Sequence, residues 1–316
     1  MPEIVVSSGR KSLKAFFSLS VPSGYSGKEA AYIERHFSGG TGKSAYLLAL
    51  DRGKAVARAM TWQGETFKNG YFALLDGRRD AFEALLGYME QLQREWGSTS
   101  LTGPVTPDGS GFFMGQCDSA SDGSARGELT GPFDAGQSAA LLQNGYDPVN
   151  TLAAFRLRLQ KTNPYRGAAQ KIASRLGIKP EKAKLNVFDQ NLERAVFALE
   201  TEDKAAALRQ LLWLKPSIAK DRSFVVNDPC GRPLAYAISL KGDVPRLATF
   251  WTKDDEYRRP CALLLCDALF ESCQKAGISE IELSLIDTQN EASMRLCGNA
   301  GARLSRQYKI YNKNLT

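Results

Sequence analysis

Apolar and polar positions divide the chain into short β segments and a few amphipathic helices. Residues 44–50 and 55–62 are rich in β-forming side chains, and Asp51-Arg52-Gly53-Lys54 separates them. Glycine can take the positive φ that a tight turn requires, so the two segments are expected to form a hairpin. A third extended run, 70–75, leads into 80–96, where apolar residues at 81, 82, 85, 86, 89 and 92 follow helical spacing. Asp80 is the expected N-cap and Gly97 the expected stop. A strand over 98–105 ends at Gly103-Pro104. Residues 106–131 are dominated by Gly, Ser and Asp and read as a long loop. A short helix over 135–144 closes at Gly145, and 151–160 alternates as a strand does.

The pattern then repeats. Residues 165–176 and 191–214 have helical character, and 223–227 with 234–240 form a second hairpin across Pro229-Cys230-Gly231-Arg232. A strand over 244–252, a long helix over 257–276, a strand over 278–286, a helix over 290–299 and a final strand over 304–311 follow. Both halves thus read strand, strand, strand, long helix, glycine, strand, short helix, glycine, strand. Duplication accounts for this order economically. The length of 316 residues is comfortable for two domains. The expectation is two α/β (α+β) domains, 1–162 and 163–316, meeting at Lys161-Thr162-Asn163-Pro164.

Composition narrows the chemistry. Lys and Arg number 41 against 34 Asp and Glu, a formal charge of +7, yet the cations are dispersed, with arginine doublets only at Arg78-Arg79 and Arg258-Arg259. That balance suits an anionic small ligand and argues against nucleic acid as a partner. The 6 cysteines form no CxxC pair, and the single histidine, His36, cannot complete a zinc cluster with them, so no metal site is expected. Such cysteine usage suits a reducing, cytoplasmic setting. No apolar run approaches the roughly 20 residues needed to span a bilayer, and the start is too polar for a signal peptide. The run Ser38-Gly39-Gly40-Thr41-Gly42-Lys43-Ser44 imitates a phosphate loop, but a β-rich segment follows where a helix is required, so a turn is expected there.

Between a strand and the final strand lies Asn290-Glu291-Ala292-Ser293-Met294-Arg295-Leu296-Cys297-Gly298-Asn299-Ala300-Gly301-Ala302. This segment is close to the pattern N-x-x-A-x-x-L-Y-x-x-x-G-F, and through it the C-terminal half resembles a GNAT acyltransferase domain. The N-terminal half is similar to the first domain of tandem GNAT proteins through 45–58 and Leu101-Thr102-Gly103-Pro104. The resemblance implies acetyl-CoA or another acyl-CoA as co-substrate and a small-molecule or peptide amine as acceptor. It places the pyrophosphate at the start of the long helix, at Arg258, Arg259, Cys261, Ala262 and Leu263, where orphan amides and the helix dipole favour an anion. Both glycines of the family loop are missing there, and Pro260 removes one donor.

By the same resemblance, the strand carrying Phe250 and Trp251 lies beside the pantetheine arm, with Asn290 and Ser293 on the cofactor side. Cys297 occupies the position of the family tyrosine that protonates the departing thiolate; Tyr308 and Tyr311, on opposite faces of the last strand, are candidate substitutes for that acid and equally suit sheet packing. Bland readings stand beside these. Cys297 suits a packed core position, Asn290 an N-cap, Trp251 a core residue and Pro260 the first residue of an ordinary helix. Three functions therefore remain open at this stage: an acyl-CoA-dependent N-acyltransferase, an inactive GNAT scaffold that binds a ligand or partner, and a tRNA-dependent aminoacyl transferase.

Overall fold

The computed structural model describes residues 2–7, 14–16, 19, 43–63, 68–105, 116–120, 135–178, 180–182, 218–231, 233–241, 244–252 and 256–316. His36, the glycine-rich run 38–42, the expected helix 191–214 and the carboxylates Asp254 and Asp255 lie outside them. In chain order the elements are β1 (Glu3–Val6), β2 (Ser44–Asp51), β3 (Lys54–Gln63), β4 (Asn69–Gly77), α1 (Phe82–Trp96), β5 (Ser100–Gly103), β6 (Gln116–Ala120), α2 (Ala135–Gln143) and β7 (Asp147–Arg158). They continue with α3 (Arg166–Leu176), β8 (Pro180–Lys182), β9 (Phe224–Asn227), β10 (Pro233–Leu240), β11 (Arg246–Thr252), α4 (Arg258–Lys275), β12 (Glu280–Asp287), α5 (Glu291–Asn299) and β13 (Arg303–Asn314).

The chain forms two compact units, Met1–Ala153 with Asp287–Asn290 and Ser305–Thr316, and Ala154–Ile286 with Glu291–Leu304. In the first, the strand order is β1-β2-β3-β4-β5-β13, with β6 also paired to β13. The β2–β3 hairpin turns at Arg52 and Gly53, and Gly53 has the positive φ of 75° that the turn demands. Strands β2, β3 and β4 pair antiparallel, α1 follows, and β5 returns parallel to β4. The side chains Leu85, Leu86 and Met89 of α1 are buried with Leu47, Ala57, Phe72 and Leu101, which explains the helical spacing of that segment. Gly70 leaves room for Gln93, whose side-chain amide donates to Thr61 Oγ1 at 2.7 Å and to the Trp62 carbonyl at 3.1 Å.

The second unit repeats the plan. Strands β9, β10 and β11 pair antiparallel, α4 follows, and β12 returns parallel to β11. Its core sets Leu264, Leu265, Leu269, Cys261 and Cys273 of α4 against Phe224, Val226, Ala235 and Ala237. Within the same unit β7 approaches the start of β12, where Arg156 donates to Glu280 at 3.0 Å and the Leu159 N–H to the Ser279 carbonyl at 2.8 Å.

Four details differ from the sequence expectations. Asp80 is not the cap of α1, because residues Arg79–Ala81 form a 3-10 turn and Ala81 occupies the N-cap position. The long polar stretch after Val105 contains β6, which pairs with β13. Pro260 is the third residue of α4, not the first, and still falls within the first turn, whose N–H groups have no intrahelical acceptor.

The last difference concerns β13, which the expected division at 162 assigns to the second half. Its residues from Ser305 onward are counted with the first unit, since Tyr311, Asn312, Lys313 and Asn314 pair with Gly103, Thr102, Leu101 and Ser100 of β5. Lys313 Nζ donates to Glu90 Oε1 at 2.7 Å, Arg94 Nε to the Leu315 carbonyl at 3.0 Å, and the Leu315 N–H to the Thr99 carbonyl at 2.9 Å. Alternation along a strand states which faces are apolar; it does not state which edge the strand will join.

Candidate active site

Among the described residues, β11 and β12 pair through two parallel rungs, Arg246 with Glu282 and Leu247 with Leu283. Beyond them the residues 248–252 have no registered partner in β12, while β11 stays paired to β10 as far as Thr252. The two strands therefore separate after their first rungs, leaving main-chain donors and acceptors of β11 along a gap between parallel strands. The β10–β11 ladder also slips between Ile238 and Ser239, so that Ala248 is an extra residue on β11. Such a bulge re-aims the local amides out of the ladder.

The ion pair at the closed end of this gap is buried. Arg246 Nε donates to Glu282 Oε1 at 3.1 Å, with side-chain exposures of 9% and 5%. Ile281 and Leu283 pack on the α4 side, which puts Glu282 on the other face of β12. The sequence alone does not mark Arg246 as the partner of Glu282. A charged residue opposite an oppositely charged one on a neighbouring strand was the available signal, and only the register reveals it.

Helix α4 begins six residues after β11 ends, with Tyr257 at the N-cap and no side-chain cap bond. Arg258 and Arg259, its first two residues, are both exposed. Cys261 does not offer its amide to a ligand, because that N–H donates to the Tyr257 carbonyl at 2.8 Å. The amides of Ala262 and Leu263 lie deeper in the same helix, where i to i−4 bonding consumes them. Anion contact at this terminus thus falls to the first turn and to the two guanidinium groups.

The corresponding turn of the first unit also carries an arginine. Arg78 donates from Nε to Asp80 Oδ1 and from Nη1 to Asp51 Oδ2, both at 2.6 Å. That cation is already engaged by two carboxylates of its own chain. The β4–β5 pair of this unit has three parallel rungs, and β4 carries its own bulge near Leu74, whose φ is 53°.

Phe250 and Trp251 take opposite faces of β11. Phe250 lies opposite Ala237 and packs on the core beneath α4, whereas Trp251 lies opposite Tyr236 and stacks on its ring, centroids 5.6 Å apart at 26°. In α5, Cys297 is 2% exposed, and burial pushes its thiol up to about 11. A thiol so raised is a weaker acid than an ordinary thiol, so proton transfer from it to a departing thiolate runs uphill. Ser293 is half-buried on the same helix.

Tyr308 and Asn290 are counted with the first unit, unlike the remaining sequence candidates. The Tyr308 ring is 2% exposed, and Arg306 Nη1 donates to its hydroxyl at 3.5 Å. Among the described residues no group of three or more His, Cys, Asp or Glu side chains is placed to hold a metal ion, and no helix is long and apolar enough to cross a membrane.

The sequence matches no protein-family model and no curated protein. Solved structures do match the fold. A tandem GNAT protein from the clavulanic acid biosynthesis pathway superposes with a TM-score of 0.65 at 10% identity, covering 100% of this chain and 99% of that one. A GCN5-related N-acetyltransferase from Sphaerobacter thermophilus gives 0.54 at 14% identity over 90% of this chain and 85% of its own. A probable N-acyltransferase from Enterococcus faecalis V583 gives 0.56 at 10% identity, over 100% and 73% respectively. The chain has the fold of a tandem GNAT protein, a mixed α/β architecture of sheets flanked by helices.

Proposed function

We propose that the protein is an acyl-CoA-dependent N-acyltransferase whose site lies in the second unit, at the gap between β11 and β12. The observation that carries this reading is the conjunction of a parallel ladder that opens after two rungs with a helix, α4, that starts just beyond β11 with Arg258 and Arg259 exposed. An acyl-CoA needs a main-chain edge for its pantetheine amides and a cationic end for its pyrophosphate, and these elements supply both. When bound, it supplies an acyl thioester: an amine attacks the carbonyl carbon, the new C–N bond replaces the C–S bond, and CoA leaves as the thiolate, to be protonated by solvent.

In this reading Arg258 and Arg259 pair with phosphate oxygens, replacing part of the backbone approach that glycines would permit. The amides around the Ala248 bulge face the thioester carbonyl and stabilise the charge that develops on its oxygen. Positioning of amine and thioester provides most of the acceleration, and the proton of the amine passes to solvent. Cys297 serves as packing and not as the acid. Ser293 remains as a proposed contributor to cofactor contact, while Asn290 and Tyr308 are counted with the first unit and are given no role in this site.

The buried, weakly acidic Cys297 at the family's acid position favours a second reading, a non-catalytic protein that uses the same gap to bind a ligand. The acetyl or acyl donor, the amine acceptor and a cytoplasmic setting are parts of the proposal. Calorimetric titration of acetyl-CoA tests it. Binding that weakens about tenfold in each of Arg258→Ala and Arg259→Ala is expected, as for loss of one charge-assisted phosphate contact. Absence of binding up to millimolar acetyl-CoA overturns the proposal, and binding without turnover of an amine panel selects the second reading.

A further inference from the structure

We infer that the acceptor is an amine attached to a planar aromatic group, which stacks on the indole of Trp251; the inference rests on the acyl-CoA reading of the β11–β12 gap. Trp251 stands four residues beyond the last β11–β12 rung, on the stretch of β11 that has no registered partner in β12. Phe250, its neighbour, is turned into the core under α4, so the two aromatic residues do not share a role. Trp251 takes the opposite face of the strand and keeps part of its ring accessible, whereas Tyr236 behind it is buried.

A side chain with one ring face stacked on a buried neighbour is already ordered. A ligand stacking against such an indole loses little further conformational freedom on the protein side. Planar rings gain from offset stacking on an indole in a way that saturated rings of equal size do not.

The charges on this face point away from a polycationic acceptor. Among the described residues of β11 and β12 on this face, the acidic side chains are Glu280, whose Oε2 accepts from Arg156 Nη1 at 3.0 Å, and Glu282, whose Oε1 accepts from Arg246 Nε at 3.1 Å. The closed end of the gap therefore presents an ion pair instead of net negative charge. An acceptor recognised here gains its affinity from ring stacking, with the amine extending from the ring towards the thioester.

The test compares 2-phenylethylamine and tryptamine with 2-cyclohexylethylamine, glucosamine and spermidine as acceptors for acetyl-CoA, on the full chain. The expected result is a kcat/KM for the aromatic amines about tenfold above that for the cyclohexyl analogue. In Trp251→Ala the ratio of aromatic to cyclohexyl kcat/KM falls by about that factor, to near one. Trp251→Phe restores the preference, and its thermal unfolding confirms an intact fold should Trp251→Ala prove unstable. Equal kcat/KM for the aromatic and cyclohexyl amines, preference for glucosamine or spermidine, or aromatic selectivity that survives Trp251→Ala overturns the inference. Failure of acetyl-CoA to bind the wild type is a separate result and overturns the underlying acyltransferase reading.

Discussion

Arg246 and Glu282 face each other across the first rung of the β11–β12 ladder, joined by a 3.1 Å hydrogen bond, immediately before the two strands part. A buried ion pair is costly to assemble, and its geometric value here is that it fixes the point from which the gap opens. Removing one partner leaves the other charge buried. Glu282→Leu or Arg246→Met is expected to lower stability by about 3–5 kcal/mol. The double variant is expected to recover most of that loss. Urea denaturation checks this, and equal destabilisation in single and double variants would show that the pair does not act as a unit.

The first unit should depend on the end of the chain. Strand β13 covers β5, and Lys313 and Leu315 bring hydrogen bonds to Glu90, Arg94 and Thr99. Deleting residues 305–316 is expected to expose the β5 edge and strip hydrogen-exchange protection from α1 and β5. Protection of these elements that matches the full chain would contradict the assignment of β13 to the first unit.

Alkaline pH is expected to weaken the fold through buried thiols. Burial pushes Cys297 and Cys273 up to about 11 and Cys266 up to about 12, against about 8.5 in an unfolded chain. Since the folded values are raised, the stabilisation is complete below about pH 8.5 and is lost as pH rises towards the folded values. Urea midpoints should therefore fall between about pH 9 and 11. A Cys273→Ala, Cys297→Ala variant should show a shallower decline over that range; an unchanged slope would assign the alkaline loss to other groups.

Cys297 should also behave as core. It is buried, whereas Cys230 is exposed in the β9–β10 turn. Thiol labelling of the native protein is expected to modify Cys230 first and Cys297 only on unfolding. Cys297→Ala is expected to retain turnover within about twofold, since the group is too weak an acid to serve the thiolate. A loss of about a hundredfold in kcat with unchanged acetyl-CoA binding would restore Cys297 as the acid.

Much of the architecture was legible because local chemistry decides it. The Arg52-Gly53 turn, the 82–96 periodicity and Gly97, whose φ is 88°, each specify their element from a few residues. What was not legible depends on register and on partners distant in sequence. Nothing in 305–316 states that its neighbour is β5, and nothing in the polar stretch after Val105 marks β6, which is held by pairing to β13.

The candidate site divides the same way. The Arg258-Arg259 start of the long helix could be read directly, whereas the buried state of Arg246 and the Tyr236–Trp251 stack required the strand register. The loss of the Cys261 amide to Tyr257 followed from where α4 actually begins.

Hydrogen exchange measured with and without acetyl-CoA tests the central claim most directly. Added protection at residues 246–252 and across the first turn of α4 is the expected result, with little change at β4 and the start of α1. Protection confined to β4 and residues 78–82, or no change anywhere at saturating acetyl-CoA, would contradict the placement of the acyl-CoA site in the second unit.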